Sequence, residues 1–247
     1  MVFGQRVPRP VAIGLAWLAT LAWAGGPAHA VVGGAEATPE GAVMVLSSKG
    51  GVCSAVVVAP DTVLTAGHCA GAGLEHRVHF RDASGQPVLV EVAARAVHPG
   101  YDAGAIAGRR RSIDLALLRT ATPLPPRFSP ATFSTASPRA GETLTLAGYG
   151  AERPGDPRST GTFRSVALPV IEPYGPSRIL VWLKAAGRAG GCQGDSGGPV
   201  SDGSGVVAVT AWIGGACGGL TQAVRVAPQR DWLDRTLAGW DRTARWH

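Results

Sequence analysis

Gly194-Asp195-Ser196-Gly197-Gly198-Pro199 places one serine hydroxyl among three glycines and directly after an acid. Small residues on both sides of the serine let the backbone turn tightly and let another molecule come close to the hydroxyl. The segment also fits the pattern G-x-S-x-G, which is typical of an exposed serine at a strand-to-helix turn in a different fold. The rest of the chain therefore has to decide which fold contains this serine.

Length and composition indicate one large all-β unit or two small domains. Of the 247 residues, 45% are apolar and 16% are charged, so the chain can build a sizeable core and is not expected to be disordered. The 35 glycines and 19 prolines favour many turns and few long helices. The net charge is +6, but the only basic run, Arg109-Arg110-Arg111, is interpreted as a solvated loop and not as a nucleic-acid surface.

Residues 1–30 have the pattern of a secretory signal peptide. Two arginines before residue 10 precede an apolar stretch over residues 11–24, and Ala28-His29-Ala30 forms an A-x-A cleavage site. Because the apolar stretch is short for a membrane span, an uncleaved anchor is the weaker alternative. The prediction is a secreted, extracellular protein that begins at Val31 and has no membrane contact after cleavage.

Short strand-like segments with turns between them recur in two series, which predicts an all-β barrel or sandwich. The first series is Val43–Leu46, Val52–Val58, Arg77–Phe80, Val88–Val97 and Leu115–Leu118. The second is Thr143–Ala147, Thr162–Ile171, Ile179–Leu183, Pro199–Ser201, Val206–Trp212 and Ala223–Val226. Residues 122–140, which are rich in proline, are predicted to link the two halves. The one convincing helix after the signal is predicted at 229–240, where tryptophans and leucines share a face.

A serine hydroxyl needs a base that takes its proton and an acid that orients the base. His68 is the candidate base, because it lies in Leu64-Thr65-Ala66-Gly67-His68-Cys69 beside a cysteine that can hold it covalently. Asp114 is the candidate acid, because it precedes the apolar run Leu115–Leu118, where a buried carboxylate needs a partner. A surface role for the histidine and a turn-capping role for the aspartate are the plainer alternatives.

Chain order separates the two folds that could contain the serine. In the α/β-hydrolases that use G-x-S-x-G, the serine precedes its acid and its histidine. The only histidine after Ser196 is His247, the last residue, which is poorly placed to be held rigidly. The order His68, Asp114, Ser196 is the reverse, and the helical crossovers of an α/β fold are also missing. The α/β-hydrolase interpretation is therefore rejected.

Five motifs resemble, in order and spacing, those of the chymotrypsin/trypsin family of serine endopeptidases, of a secreted bacterial kind. They are Val31-Val32-Gly33-Gly34, Thr65-Ala66-Gly67-His68-Cys69, Asp114-Leu115-Ala116-Leu117-Leu118, Cys192-Gln193-Gly194-Asp195-Ser196-Gly197-Gly198-Pro199 and Trp212. The resemblance covers residues 31–240. It implies an all-β fold of two antiparallel six-stranded β-barrels packed face to face, with the active site between them and a short C-terminal helix. The barrels would lie at about 31–121 and 141–247.

The resemblance implies a complete catalytic apparatus without a cofactor or a metal. His68 would be general base and then general acid, Asp114 would orient it, and Ser196 would attack the scissile carbonyl to form an acyl-enzyme. The backbone N–H groups of Gly194 and Ser196 would form the oxyanion hole.

The resemblance also implies an activation ion pair between Asp195 and the α-amino group of Val31. Because signal cleavage itself would release that group, we expect an enzyme that is active on secretion, with no separate zymogen. The four cysteines form an even set in an exported chain, which favours disulfides over a metal site and leaves three pairings open. The resemblance selects the pairs Cys53–Cys69 and Cys192–Cys217.

The resemblance further assigns a substrate pocket beside the serine, formed by Gly190, Gln193, Trp212, Ile213 and Thr221. Trypsin-like members carry an aspartate at the floor position, so Gly190 disfavours cleavage after arginine or lysine. Ile213 and Thr221 are larger than the glycines usual at the mouth and the second wall, which narrows the pocket. A small or medium apolar residue is therefore predicted before the cut.

Two residues depart from the pattern of the family. Gly67 replaces an alanine, and Ala211 replaces a serine whose hydroxyl supports the acid of the triad, a change expected to lower activity without abolishing it. The alternative function is a catalytically weak or inactive protease-fold binding protein, and a polyanion binder that uses Arg109–Arg111 is a further one. The expected partners are protein or peptide substrates and protein protease inhibitors, with no nucleic acid, for a monomeric enzyme.

Overall fold

The computed structural model describes residues 1–2, 4, 31–108 and 110–247. The predicted signal peptide therefore falls almost entirely outside the described residues, as does Arg109 in the basic run. Within the described ranges, no helix is both long enough and apolar enough to cross a membrane.

A short strand, β1 (Ala35–Glu36), precedes a first barrel of six strands. These are β2 (Ala42–Ser47), β3 (Val52–Ala59), β4 (Thr62–Thr65), β5 (His76–Arg81), β6 (Pro87–Val97) and β7 (Ala116–Thr120). They pair antiparallel and close in the order β2-β3-β4-β7-β6-β5. Successive residues of β3 and β4 point to opposite faces. Val57 and Val63 fill this barrel, whereas Val56 and Leu64 join a core shared with the second barrel.

The second barrel also has six strands. After β8 (Thr132–Phe133), its strands are β9 (Thr143–Gly148), β10 (Arg164–Ile171), β11 (Leu180–Leu183), β12 (Pro199–Ser201), β13 (Val206–Gly214) and β14 (Leu220–Arg225). The pairing order is β9-β10-β11-β14-β13-β12, and β12 pairs back with β9 to close the ring. Helix α1 (Arg230–Ala238) and strand β15 (Arg245–Trp246) follow. The predicted fold of two six-stranded antiparallel barrels with a short C-terminal helix is confirmed.

The core between the barrels contains residues from both of them and from the helix. Leu64 and Leu117 of the first barrel, Val209 of the second, and Leu233 and Leu237 of α1 belong to one buried cluster. Burial of these side chains stabilises the contact between the barrels, at about 25 cal/mol per Å² of apolar surface removed from water. The two barrel edges that carry the candidate catalytic residues are held together by this cluster.

Two segments do not follow a simple division of the chain into an N-terminal barrel, a linker and a C-terminal barrel. Strand β1 pairs with β10 of the second barrel, through Ala35 opposite Ser165, although it precedes the first barrel in sequence. The proline-rich segment 122–140 is packed along both barrels, because Phe128 belongs to the first core and Phe133 to the core between the barrels. The segment therefore contributes apolar burial as well as a connection.

Candidate active site

His68 and Asp114 meet because they lie at the same end of two paired strands. Strand β4 pairs with β7, with Thr65 opposite Ala116. His68 lies in the 3₁₀ turn Gly67–Ala70 that follows β4, and Asp114 lies two residues before β7. Strand pairing thus brings together two residues that are 46 positions apart in the sequence.

Both oxygens of the Asp114 carboxylate bind His68. The backbone N–H of His68 donates to Oδ1 at 2.8 Å, and the imidazole Nδ1 lies 2.7 Å from Oδ2. A carboxylate only accepts hydrogen bonds, so Nδ1 carries the proton and Nε2 is left as the acceptor. The Asp114 side chain is 15% exposed and that of His68 is 39% exposed. The acid therefore fixes both the ring orientation and the tautomer of an accessible imidazole.

Ser196 lies in the turn before β12, and it lines the same cleft as His68. The cleft has a volume of about 290 Å³, and Gln193 and Gly194 also line it. The Ser196 carbonyl accepts a 2.8 Å hydrogen bond from the N–H of Ser54 on β3. Among the hydrogen bonds of the described residues there is none between the Ser196 hydroxyl and the His68 imidazole. The two side chains share the cleft without direct hydrogen bonding.

The predicted oxyanion donors face the same cleft. Gly194 has a φ of +99°, a conformation that strongly favours glycine. Within the described part of the chain, neither the N–H of Gly194 nor that of Ser196 donates to a protein acceptor. Two unpaired N–H groups beside a serine hydroxyl can stabilise negative charge on a bound carbonyl oxygen.

Asp195 is fully buried behind the cleft. Its Oδ1 accepts from the N–H of Gly150 and its Oδ2 from the N–H of Cys192, both at 2.8 Å. Burial raises the pKa of Asp195 to about 7, and the two backbone donors counter that rise only in part. A carboxylate in this position favours a cationic partner, because an isolated buried charge is costly.

Val31 is fully buried, and the chain after it runs along the candidate pocket. The N–H of Gly190 donates to the carbonyl of Val32 at 2.9 Å, which joins the two segments in an antiparallel bridge. Val31 has a φ of +42°, an unfavourable conformation for a β-branched residue. In the uncleaved chain its nitrogen is an amide, and the hydrogen bonds and ion pairs of the described residues include none between Val31 and Asp195.

The structure contains the two disulfides that the resemblance implied. Cys53–Cys69 joins β3 to the turn of His68, and Cys192–Cys217 joins the segment before Ser196 to the loop after β13. The amide oxygen of Gln193 lies 2.8 Å from the sulfur of Cys217, so this side chain is folded against the second disulfide.

Two of the predicted pocket residues, Ile213 and Thr221, face each other on paired strands β13 and β14, and both lie beside Gly191. A β-carbon on Gly191 would lie 3.2 Å from the side chain of Ile213 and 3.3 Å from the hydroxyl of Thr221. Thr221 is fully buried, and its hydroxyl accepts from the N–H of Gly191 at 3.1 Å. Trp212, which is half-buried, precedes Ile213 on β13. The side chains of Ile213 and Thr221 therefore lie against Gly191, and the Thr221 hydroxyl also lies 3.3 Å from where a β-carbon on Gly190 would be.

The two departures from the family pattern have local consequences. A β-carbon on Gly67 would lie 3.0 Å from Asp114 Oδ1 and 3.1 Å from the ring of Tyr101. Glycine therefore allows Tyr101 to approach the acid, and burial together with the Asp114 charge raises the pKa of the Tyr101 hydroxyl. Ala211 is buried in the core between the barrels, where it offers no hydrogen bond to the acid.

Sequence reasoning missed Tyr101 and Ser54, both of which contact the candidate site. Tyr101 lies in a loop without any motif. Ser54 had a detectable signal, because it is the one hydroxyl inside the apolar run Val52–Ala59. A polar residue in a fully buried strand requires a partner, although the sequence does not say which one.

The family model described as trypsin matches residues 31–233. Human kallikrein-15 is 28% identical over 215 residues, covering 75% of this chain and 81% of kallikrein-15. Human serine protease 56 is 31% identical over 246 residues, covering 85% of this chain and 39% of that protein.

The solved structure of neuropsin, a serine protease expressed in the limbic system of mouse brain, has a TM-score of 0.69 with this fold at 21% identity. The alignment covers 82% of this chain and 98% of the neuropsin chain. These similar proteins are from animals, so they give no support to the expectation of a bacterial kind. Because the family match spans both barrels and every candidate catalytic residue, the chain belongs to the trypsin family of serine proteases.

Proposed function

We propose that this protein is a secreted serine endopeptidase that hydrolyses peptide bonds through an acyl-enzyme intermediate. Membership of the trypsin family supports serine endopeptidase function. The observation that carries the proposal is the pair of hydrogen bonds that Asp114 accepts from His68, beside a cleft that also contains Ser196. The expected partners are protein and peptide substrates and protein protease inhibitors.

The proposed mechanism assigns one role to each group. Nε2 of His68 takes the proton of the Ser196 hydroxyl as the oxygen attacks the substrate carbonyl, and the imidazolium formed is stabilised by Asp114. The N–H groups of Gly194 and Ser196 bind the oxyanion of the tetrahedral intermediate. The imidazolium then gives its proton to the leaving amine. In the second half of the reaction, His68 takes a proton from a water molecule, the water oxygen attacks the acyl-enzyme, and the Ser196 oxygen leaves with the proton returned by His68.

Labelling with a fluorophosphonate tests this proposal against the inactive binding-protein alternative. Folded protein that starts at Val31 is expected to form one covalent adduct, located by peptide mass mapping on Ser196. An absence of adduct in protein whose disulfides and fold are intact would favour the binding protein. Retention on a polyanion column that depends on Arg109–Arg111 would instead support the basic-surface alternative.

The free α-amino group of Val31 is expected to switch the enzyme on. Asp195 is buried with a raised pKa, and an ammonium group beside it would remove the cost of its charge. A protein that retains one additional residue, Ala30, is expected to be about 100-fold less active at pH 8, because the oxyanion loop loses its support. The measurement is kcat/KM for forms that begin at Val31 and at Ala30, with Val31→Ile as a control that keeps the amine.

The pH dependence of stability gives a second readout of the same switch. In the folded, uncleaved chain, burial raises the pKa of Asp195 from its ordinary value of 3.8 to about 7. The folded state then binds more protons between these values, so its stability should fall as pH rises from 4 to 7. The protein that begins at Val31 should not lose stability over this pH range, because its free amine stabilises the Asp195 carboxylate. Equal activity of the two forms, or a secreted protein that starts at another residue, would refute the switch.

The residue before the cut is expected to be small or medium and apolar, because the side chains of Ile213 and Thr221 lie against Gly191, next to the proposed pocket floor at Gly190. Ile213→Gly is expected to raise the ratio of kcat/KM for phenylalanine over alanine at this position by about 10-fold or more. Ile213→Val, the graded control, should give a smaller shift. A peptide library measures both, and dominant cleavage by the unchanged enzyme after arginine or lysine would contradict the pocket assignment.

A further inference from the structure

The Ser54 hydroxyl connects the first barrel to the loop of the candidate oxyanion hole. Ser54 follows Cys53 on β3 and is fully buried. Its hydroxyl donates to the carbonyl of Gly194 at 2.8 Å and accepts from the N–H of Tyr149 at 2.9 Å. Both partners belong to the second barrel or its loops. With its proton and an acceptor site both in use, the hydroxyl has one fixed orientation.

The backbone of Ser54 binds two further segments of the candidate site. Its N–H donates to the carbonyl of Ser196 at 2.8 Å, and its carbonyl accepts from the hydroxyl of Thr65 at 2.8 Å. Thr65 ends β4, three residues before His68. One residue of the first barrel is thus bonded to the nucleophile segment, to the oxyanion loop and to the strand that leads to the histidine.

Gly194 is one of the glycines of this loop that need an external restraint. Glycine at a φ of +99° lacks the β-carbon that limits the backbone rotation of other residues. Its N–H is a candidate oxyanion donor, and its carbonyl is held by the Ser54 hydroxyl. The bond from Tyr149 extends the restraint to the adjoining Gly150, whose N–H donates to Asp195 Oδ1.

We propose that Ser54 is a positioning residue for the oxyanion hole. Its hydroxyl fixes the peptide plane that follows Gly194 through the Gly194 carbonyl, while the preceding plane, which carries the Gly194 N–H, is held by the 2.7 Å bond from the Ala151 N–H to the Gln193 carbonyl. With both planes held, the backbone of Gly194 cannot rotate and its N–H keeps one direction. This inference rests on the proposed protease function and deepens it. Ser54 is not among the residues that line the cleft, so it acts through Gly194 and not on the substrate. A misdirected oxyanion donor weakens binding of the transition state more than binding of the substrate, so kcat falls while KM changes little.

Ser54→Ala is expected to lower kcat by about 10-fold or more and to change KM by less than about 2-fold. The affinity for a peptide boronic acid, which forms a tetrahedral adduct, should fall by the same factor as kcat/KM. The affinity for a peptide with a reduced CH₂–NH bond, which has no carbonyl at the scissile position, should not change. Rates are expressed per active site, titrated with a fluorophosphonate, so that misfolded protein does not contribute.

Thr120→Val is the matched control for loss of a buried hydroxyl. The Thr120 hydroxyl donates to the carbonyl of Thr122 at 2.7 Å, with the Asp61 carbonyl 3.1 Å away, in the first barrel and away from the cleft. The control should lose thermal stability as Ser54→Ala does, but keep kcat within about 2-fold. Ser54→Thr retains the hydroxyl and should restore most of kcat, and Ser54→Gly serves as a second hydroxyl-free variant if the alanine variant folds poorly.

Hydrogen exchange over residues 192–197 gives a readout that does not require turnover. Exchange in this segment should be faster in Ser54→Ala than in the unchanged protein or in Thr120→Val. Unchanged exchange together with unchanged kcat would overturn the positioning role and leave the protease function standing. A different pair of results would separate the two proposals in the other direction. If Ser54→Ala exchanges faster but the protein without substitutions is not labelled on Ser196, the protease function is refuted and the restraint of Gly194 by Ser54 is retained.

Discussion

Ser196→Ala is expected to lower kcat/KM by about 10⁵- to 10⁶-fold, the largest loss available from a single substitution in this chain. The variant keeps the two N–H donors of the candidate oxyanion hole and the pocket of Ile213 and Thr221, so it should still bind peptides. It lacks only the oxygen that forms the acyl-enzyme. Cleavage of a fluorogenic peptide measures the loss, and fluorophosphonate labelling should disappear with it.

Ser159→Ala is the matched control for this substitution. The Ser159 hydroxyl is also largely buried, where it donates to the carbonyl of Asp156, outside the cleft. This control should keep kcat/KM within about 3-fold, since loss of one such bond affects stability and not the reacting groups. If Ser196→Ala kept more than one part in a thousand of the activity after purification from other proteases, Ser196 would not be the nucleophile.

The architecture could be predicted well where strands alternate or are bounded by turns, and less well elsewhere. Strand β4, Thr62–Thr65, was not predicted, although the first barrel cannot close without it. All four of its residues are buried, so it has no alternation of apolar and polar side chains. It also overlaps the histidine motif, because its last residue, Thr65, is the first residue of Thr65-Ala66-Gly67-His68-Cys69. A short strand covered on both faces leaves little periodic signal.

The identity of the candidate site residues could be predicted from motifs, whereas their supporting contacts could not. The bond between Ser54 and Gly194 joins positions 140 residues apart, and no spacing rule connects them. Gly67, Tyr101 and Asp114 come together from three separate segments, because a β-carbon on Gly67 would lie 3.1 Å from the Tyr101 ring and 3.0 Å from Asp114 Oδ1. Contacts of this kind follow from how the barrels pack, which local sequence patterns do not encode.

Asp114→Asn is expected to lower kcat by about 10⁴-fold with little change in KM. Oδ1 of Asp114 accepts from the backbone N–H of His68, so the amide oxygen of asparagine would take that position. The amide NH₂ would then face Nδ1, where the carboxylate oxygen now lies at 2.7 Å. Nδ1 would have to become the acceptor, which moves the imidazole proton to Nε2. In that tautomer the ring cannot take the proton of Ser196.

Asp102→Asn is the matched control, because it removes a carboxylate from the loop that precedes Asp114. Asp102 forms an exposed ion pair with Arg110 at 2.7 Å, so its loss should change kcat by less than about 3-fold. Proton NMR gives an independent readout, since the strongly hydrogen-bonded Nδ1 proton of His68 should be lost only in Asp114→Asn. Retention of that proton signal, or of kcat within 10-fold of the unchanged enzyme, would show that Asp114 does not set the tautomer. The two readouts must change together, because in this geometry one hydrogen bond determines both the tautomer of His68 and its ability to accept a proton.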